Sequence, residues 1–374
     1  MSPLAITAVG LACSLGLGSE QACAAARAGL VRVSQINTLN AAGDPKFAKE
    51  TLDGVPPFVG HLVPVVGAGY TGIGKLVAMG KPALEEVLLK ANLRKEDIAR
   101  TCMCICISDG FYENHYGVPQ DMLDESNLPS EQERRNDMAA LIASRLCNTV
   151  SLPIPATAQW VSDKGRLGLL GALHQASQWF ATGKFDRCLI GTLDSLIEPA
   201  VLEACGTAQV LKTEGNPVGF MPGEAAAFLL VEPSTGIDGV LFITAMAHAM
   251  DRSYHDAEKQ PVGQGISQVL RQLITASPEP TAVPGLLISD LNGTESRAVD
   301  WGYAMVHLRD HFGEFESKLW LPVESFGECG AANGGLALCF AFEAARRATM
   351  PSSTATVLLC AEGGERAAIQ IEIS

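Results

Sequence analysis

Charge is scarce in this sequence: 18% of its 374 residues are charged, against about a quarter in an ordinary soluble domain. Disordered, collagen-like and coiled-coil architectures are excluded, because each needs a charge-rich or strictly periodic chain. Positive charge is scarcer still, with 27 Lys+Arg against 41 Asp+Glu and a formal net charge of −14. A nucleic-acid partner or an anionic membrane surface would demand a cationic footprint, so neither is expected. No apolar run reaches the ~18 residues of a transmembrane helix. Also missing are a P-loop, a GxSxG elbow, an HExxH pair and any disulfide-framework spacing. No cofactor and no metal are expected.

Apolar residues are what the chain has, at 47%, with eleven cysteines scattered through apolar runs. An odd cysteine count without framework spacing suits a reducing cytosol, where thiols pack as small hydrophobes. The expected location is cytoplasmic. The Ala12-Cys13 pair resembles a lipoprotein cleavage site, but no basic segment precedes it. The stretch 1–18 reads instead as a first buried strand.

Short apolar strands alternate with helical stretches. Strands are expected at 4–13, 101–108, 187–193, 224–231, 240–250 and 286–291, with a closing hairpin from 354–360 and 367–373. Helical spacing appears at 82–91, where Pro82 suits a first turn, and at 168–182, 263–275 and 334–348. The wholly apolar strands argue for sheets covered on both faces. A turn-rich stretch near 233–239 divides the chain into halves at 1–235 and 236–374. The polar segment 111–135 is too long for an ordinary connection and reads as a surface excursion or a partner-binding insertion.

Three features carry less than they first suggest. Cys102, Cys104 and Cys106 alternate along one strand, which is ordinary packing rather than a converging metal site. His248, His255, His307 and His311 lack ligand spacing. The glycines of 67–74 lack the βαβ context of a dinucleotide loop.

Several longer runs are more specific: ITAVGLACSLGLGSEQACAAARAG at 6–29, ALHQASQWFATGKFDRCLIGTLDS at 172–195, GFMPGEAAAFLLVEP at 219–233, NGT at 292–294, SFGECGAANGGLAL at 325–338 and AEGGERAA at 361–368. Together they resemble the β-ketoacyl-acyl-carrier-protein synthases. The resemblance covers nearly the whole chain. It implies an α/β thiolase-like fold, two duplicated halves forming five α-β-α-β-α layers, and a dimer formed across the strand 151–159.

The family's chemistry needs a thiolate at a helix amino terminus and two histidines that donate to the thioester oxygen. Counted back from the helix-closing Gly183, the nucleophile position holds Arg166, which cannot deprotonate. A second register places Gln159 there, similar to loading ketosynthases that decarboxylate malonyl groups without condensing them. Asn292 stands for the first histidine, Cys329 for the second, and Glu324 for a nearby lysine. Cys329 could be a relocated nucleophile or simply a small residue in a packed turn. Arg166 is expected to pair with Glu324 or Glu328 and close the old site.

Three function classes follow. The first is a degenerate ketosynthase-like protein acting through binding, as a chain-length-factor-like subunit or an effector-associated adaptor. The second is a residual acyl-group enzyme, a malonyl decarboxylase or an acyltransferase. The third is a fully active condensing enzyme. The expected partners are a second copy, an active ketosynthase subunit, a cargo protein or an acyl carrier protein.

Overall fold

The protein is described by a computed structural model covering residues 2–36, 58–66, 69–117, 131–234, 240–255, 262–276 and 283–373. Five strands build the first half: β1 (Leu4–Cys13), β2 (Thr101–Cys106), β3 (Gln159–Ser162), β4 (Arg187–Ser195) and β5 (Glu224–Pro233). Five more build the second: β6 (Leu241–Met250), β7 (Leu286–Ser289), β8 (Lys318–Trp320), β9 (Thr354–Cys360) and β10 (Glu365–Ile373). The first set lies in the order β1-β5-β4-β2-β3 and the second in the order β6-β10-β9-β7-β8. Both halves therefore place their strands as first, fifth, fourth, second, third. The senses repeat as well, with two antiparallel pairings and then two parallel ones in each half.

The halves are not separate sheets. Leu4, Ala5 and Ile6 of β1 pair with Ile243, Phe242 and Leu241 of β6, which joins all ten strands into one path. The helices most relevant to the site are α1 (Ser19–Arg27), α2 (Gly72–Ala91), α3 (Glu131–Thr149), α4 (Gly168–Ala181), α5 (Gln264–Ala276), α6 (Glu295–Phe312) and α7 (Asn333–Arg346). α2 and α3 pack on the outer face of the first half, α5 and α6 on that of the second. Between them lie α4 and α7, the latter touching strands of both halves. This is the five-layer α/β arrangement. Its fully apolar strands are buried on both faces, as their composition requires.

Several elements differ from the sequence reading, three of them for a clear physical reason. α2 starts ten residues before Pro82, which sits inside the helix. The buried face of Leu76, Met79, Ala83 and Val87 outweighs the hydrogen bond that a proline removes. The strand expected at 151–159 begins only at Gln159, because Pro153 and Pro155 lack the N–H that a ladder needs. α6 went unseen because apolar residues lie on both of its sides, leaving no single period.

Of the polar segment 111–135, a helix at Phe111–Tyr116 and the start of α3 are described. The rest of it, and the boundary at 235/236, lie outside the described residues. All eleven cysteines are free and buried. Among the described residues no cluster fit for a metal occurs, and no helix is long and apolar enough to cross a membrane.

Candidate functional site

Arg166 stands on a one-turn 3-10 helix, Gly165–Leu167, that links β3 to α4. Gly165 makes the turn possible at φ +53°, where its missing side chain also leaves room for the Asp109 carboxylate. The Arg166 side chain is 4% exposed and meets three carboxylates from the second half. Nη1 lies 2.6 Å from Asp290 Oδ2, just after β7. Nη2 lies 3.1 Å from Glu328 Oε1, in the turn before α7, and 3.3 Å from Glu362 Oε1, in the β9–β10 turn.

A second buried cation completes the cluster. Arg297, in the first turn of α6, reaches Asp290 Oδ1 at 3.2 Å and Glu362 Oε1 at 2.5 Å, and donates to the Cys360 carbonyl. The Tyr112 hydroxyl donates to Glu362 at 3.1 Å. Glu328 also accepts from Asn292 Nδ2 at 2.9 Å, Asn333 Nδ2 at 2.6 Å and the Gly330 N–H at 2.9 Å. The Cys360 N–H donates to Asp290 at 3.0 Å. Two guanidiniums thus face three carboxylates, and hydrogen-bond donors supplement them on Asp290, Glu328 and Glu362 Oε1.

The electrostatics agree with fixed charges. Burial alone would lower the Arg166 pKa, but Glu328 and Asp290 outweigh it and hold the guanidinium protonated. Burial would raise the Glu362 carboxyl, yet Arg297 and Arg166 press it down to about 2. Neither Arg166 nor Glu362 is poised to exchange a proton near neutrality. The cavity bordering Asp290, lined in part by Asn333, Leu336 and Leu359, measures about 10 Å³, barely one water.

The other sequence candidates divide. Asn292 joins the cluster through Glu328. Glu324 does not; it is exposed on the short helix Val323–Phe326. Gln159 also lies outside. Its amide donates to the Ile154 carbonyl at 2.7 Å and accepts from Ser144, facing the outer helix α3. Cys329 is wholly buried, its thiol aimed at the Phe326 and Gly327 carbonyls. Burial first, and then the adjacent Glu328, push that thiol well above its ordinary pKa, the reverse of an activated nucleophile.

Comparison with known proteins follows the fold rather than the sequence. No family model matches the chain, and no curated protein does. Solved structures match over its full length. The fold is that of the β-ketoacyl synthases. One neighbour, the ishigamide ketosynthase/chain length factor, is 17% identical with a TM-score of 0.66, covering 100% of this chain and 99% of its own. A β-ketoacyl synthase from Burkholderia phymatum is 16% identical at a TM-score of 0.73, with 100% of both chains covered. A type II polyketide acyl-carrier protein in complex with its hexaketide-bound ketosynthase gives 14% identity and a TM-score of 0.74, again over 100% of both chains.

Within this ketosynthase fold, sequence reasoning located Arg166, Glu328 and Asn292 but missed Asp290, Arg297, Glu362 and Tyr112. It also missed Asp194, at the end of β4, which accepts from the Ala331 and Ser195 N–H groups at 2.8 Å each. Burial raises its carboxyl from 3.8 to about 8. The folded state therefore holds a proton that the unfolded chain releases. Stability from this group is complete below pH 3.8 and declines as pH rises toward 8, by up to about 1.4 kcal/mol per pH unit. Urea unfolding of Asp194→Asn should lose that slope. An unchanged slope would show that Asp194 ionises normally in the fold. Glu362 acts oppositely: its contribution is present above 4.5 and is lost as pH falls toward about 2.

Proposed function

We propose that this ketosynthase-fold protein is catalytically degenerate and works through a protein partner, as a chain-length-factor-like subunit or a secretion-associated adaptor. One observation carries the reading: the turn before α4 holds Arg166, clamped by Asp290, Glu328 and Glu362, instead of a thiol. An arginine is neither a nucleophile nor a proton carrier at physiological pH. Five charged groups fill the site, and the cavity described beside Asp290, about 10 Å³, is too small for an acyl chain. The neighbours include a ketosynthase/chain length factor pair and a ketosynthase complexed with its acyl-carrier protein, which supports partnership as the mode of action.

We assign self-association or pairing with a ketosynthase subunit to β3, which ends the sheet and has no partner on its outer edge among the described residues. Eleven buried free thiols suit a reducing cytoplasm.

The decisive experiment is intact-mass analysis after incubation with malonyl- and acyl-loaded carrier protein. The expected result is no covalent adduct and no carbon dioxide release, for the natural chain and Cys329→Ala alike. An acyl adduct that disappears in Cys329→Ala would overturn the reading in favour of a relocated nucleophile.

A further inference from the structure

The second open end of the sheet is β8, at the far side of the second half. Its inner edge pairs with β7, Leu287 opposite Leu319; among the described residues nothing pairs with its outer edge. Beside that edge runs a trough of about 640 Å³ between β8 and α6. Trp301 and Met305 of α6, with Phe315 and Leu319, give it an apolar floor. Apolar residues continue onto the solvent face of α6, where Tyr303 and Val306 are 48% and 60% exposed. Exposed apolar surface joined to an unpaired strand edge is the arrangement used to capture an extended segment.

Charge says which segment. On a chain of net −14, the rim carries Arg309 and Lys318, both exposed and neither in an ion pair among the described residues. Glu316 is the trough's one carboxylate. Side chains alternate along β8: Trp320 turns inward to meet Phe340 of α7 edge-on at 5.2 Å, while Lys318, the first residue of the strand, borders the trough's rim. Leu319 faces the trough. An added strand would place an acidic side chain beside Lys318 and an apolar one beside Leu319, in alternation. The lysine also repels basic strands, which makes the edge selective.

We infer that this trough receives an extended segment of a partner protein that alternates apolar and acidic residues and adds as a strand to the outer edge of β8. The site lies apart from the Arg166 cluster and holds whatever chemistry the cluster performs. It also supplies a surface for the partner role proposed above.

The test uses the full chain and two fluorescein-labelled seven-residue peptides, one alternating valine and glutamate, the other valine and lysine. Anisotropy should show the acidic peptide binding at least about tenfold tighter. The double variant Arg309→Glu with Lys318→Glu should reverse that order. Hydrogen exchange should show new amide protection confined to β8. Equal binding of both peptides, no binding up to about 1 mM, or a preference unaltered by the charge reversal would each overturn the inference. A dimer that dissociates on Leu319→Arg would do so too, by showing that a second copy occupies the edge. Because carrier-protein acylation reads only the cluster, failure of the trough and failure of the degenerate-enzyme reading remain distinguishable.

Discussion

Replacing Arg166 with methionine is expected to cost about 3–5 kcal/mol of folding stability. The substitution keeps an unbranched side chain in the space but removes one of two cations from among two buried carboxylates and the partly buried Glu362. Asp290 and Glu362 would then keep only Arg297, and Glu328, whose ion pair among the described residues is with Arg166, would be left without a cation. Since a domain is stable by about 5–15 kcal/mol in total, the variant should unfold at a much lower urea concentration. Combining Arg166→Met with Glu328→Gln should recover part of the loss, because the double variant leaves one fewer unpaired charge. The recovery expected for groups in direct contact is about 0.5–3 kcal/mol. A single variant within about 1 kcal/mol of the natural chain would mean that the cluster is dispensable to the fold.

A comparable loss is expected at Gly10, for a steric reason. Gly10 lies on β1 directly under α2, and a Cβ built there would sit 2.0 Å from the Ala83 carbonyl oxygen and 2.9 Å from the Val87 nitrogen. Both are backbone atoms joined in the helical ladder, so neither can rotate away. Gly10→Ala must push α2 off the sheet or break that ladder, at about 3 kcal/mol, the upper end for overpacking. Gly363→Ala is the matched control: nothing lies within 4 Å of its added carbon, and it should stay within about 0.5 kcal/mol. Thermal unfolding monitored by circular dichroism would compare the two. A Gly10→Ala variant as stable as Gly363→Ala would show that α2 can shift freely.

The positions of the major strands were readable because each is a compact apolar run bounded by turns. β3 and β8 were harder, being short edge strands with few apolar residues, and prolines displaced the first. Arg166 could be found because a helix of definite length separates it from Gly183. Its partners could not all be found the same way. Glu328 lies in a recognisable glycine-rich run, whereas Asp290 merely follows an apolar strand and Arg297 is one of two arginines on α6. Tyr112 was hidden in a polar segment that offered no periodicity. Which distant charges converge depends on the packing of the two halves, and local pattern carries no record of that. Gln159 and Glu324 show the converse: counting along the chain nominated them, but the backbone turns one toward α3 and the other toward solvent.

The β1–β6 joint has a consequence for assembly. Had each half kept a sheet of its own, the molecule would present four strand ends, two of them facing each other inside. Fusing the sheets at Leu4–Ile6 and Leu241–Ile243 consumes the inner pair and leaves two termini, β3 and β8, at opposite extremes. Among the described residues, main-chain recognition by this sheet is therefore limited to a valence of two. If a copy or a ketosynthase takes one terminus and a foreign strand the other, the protein becomes a connector that joins two bodies through one continuous hydrogen-bonded span.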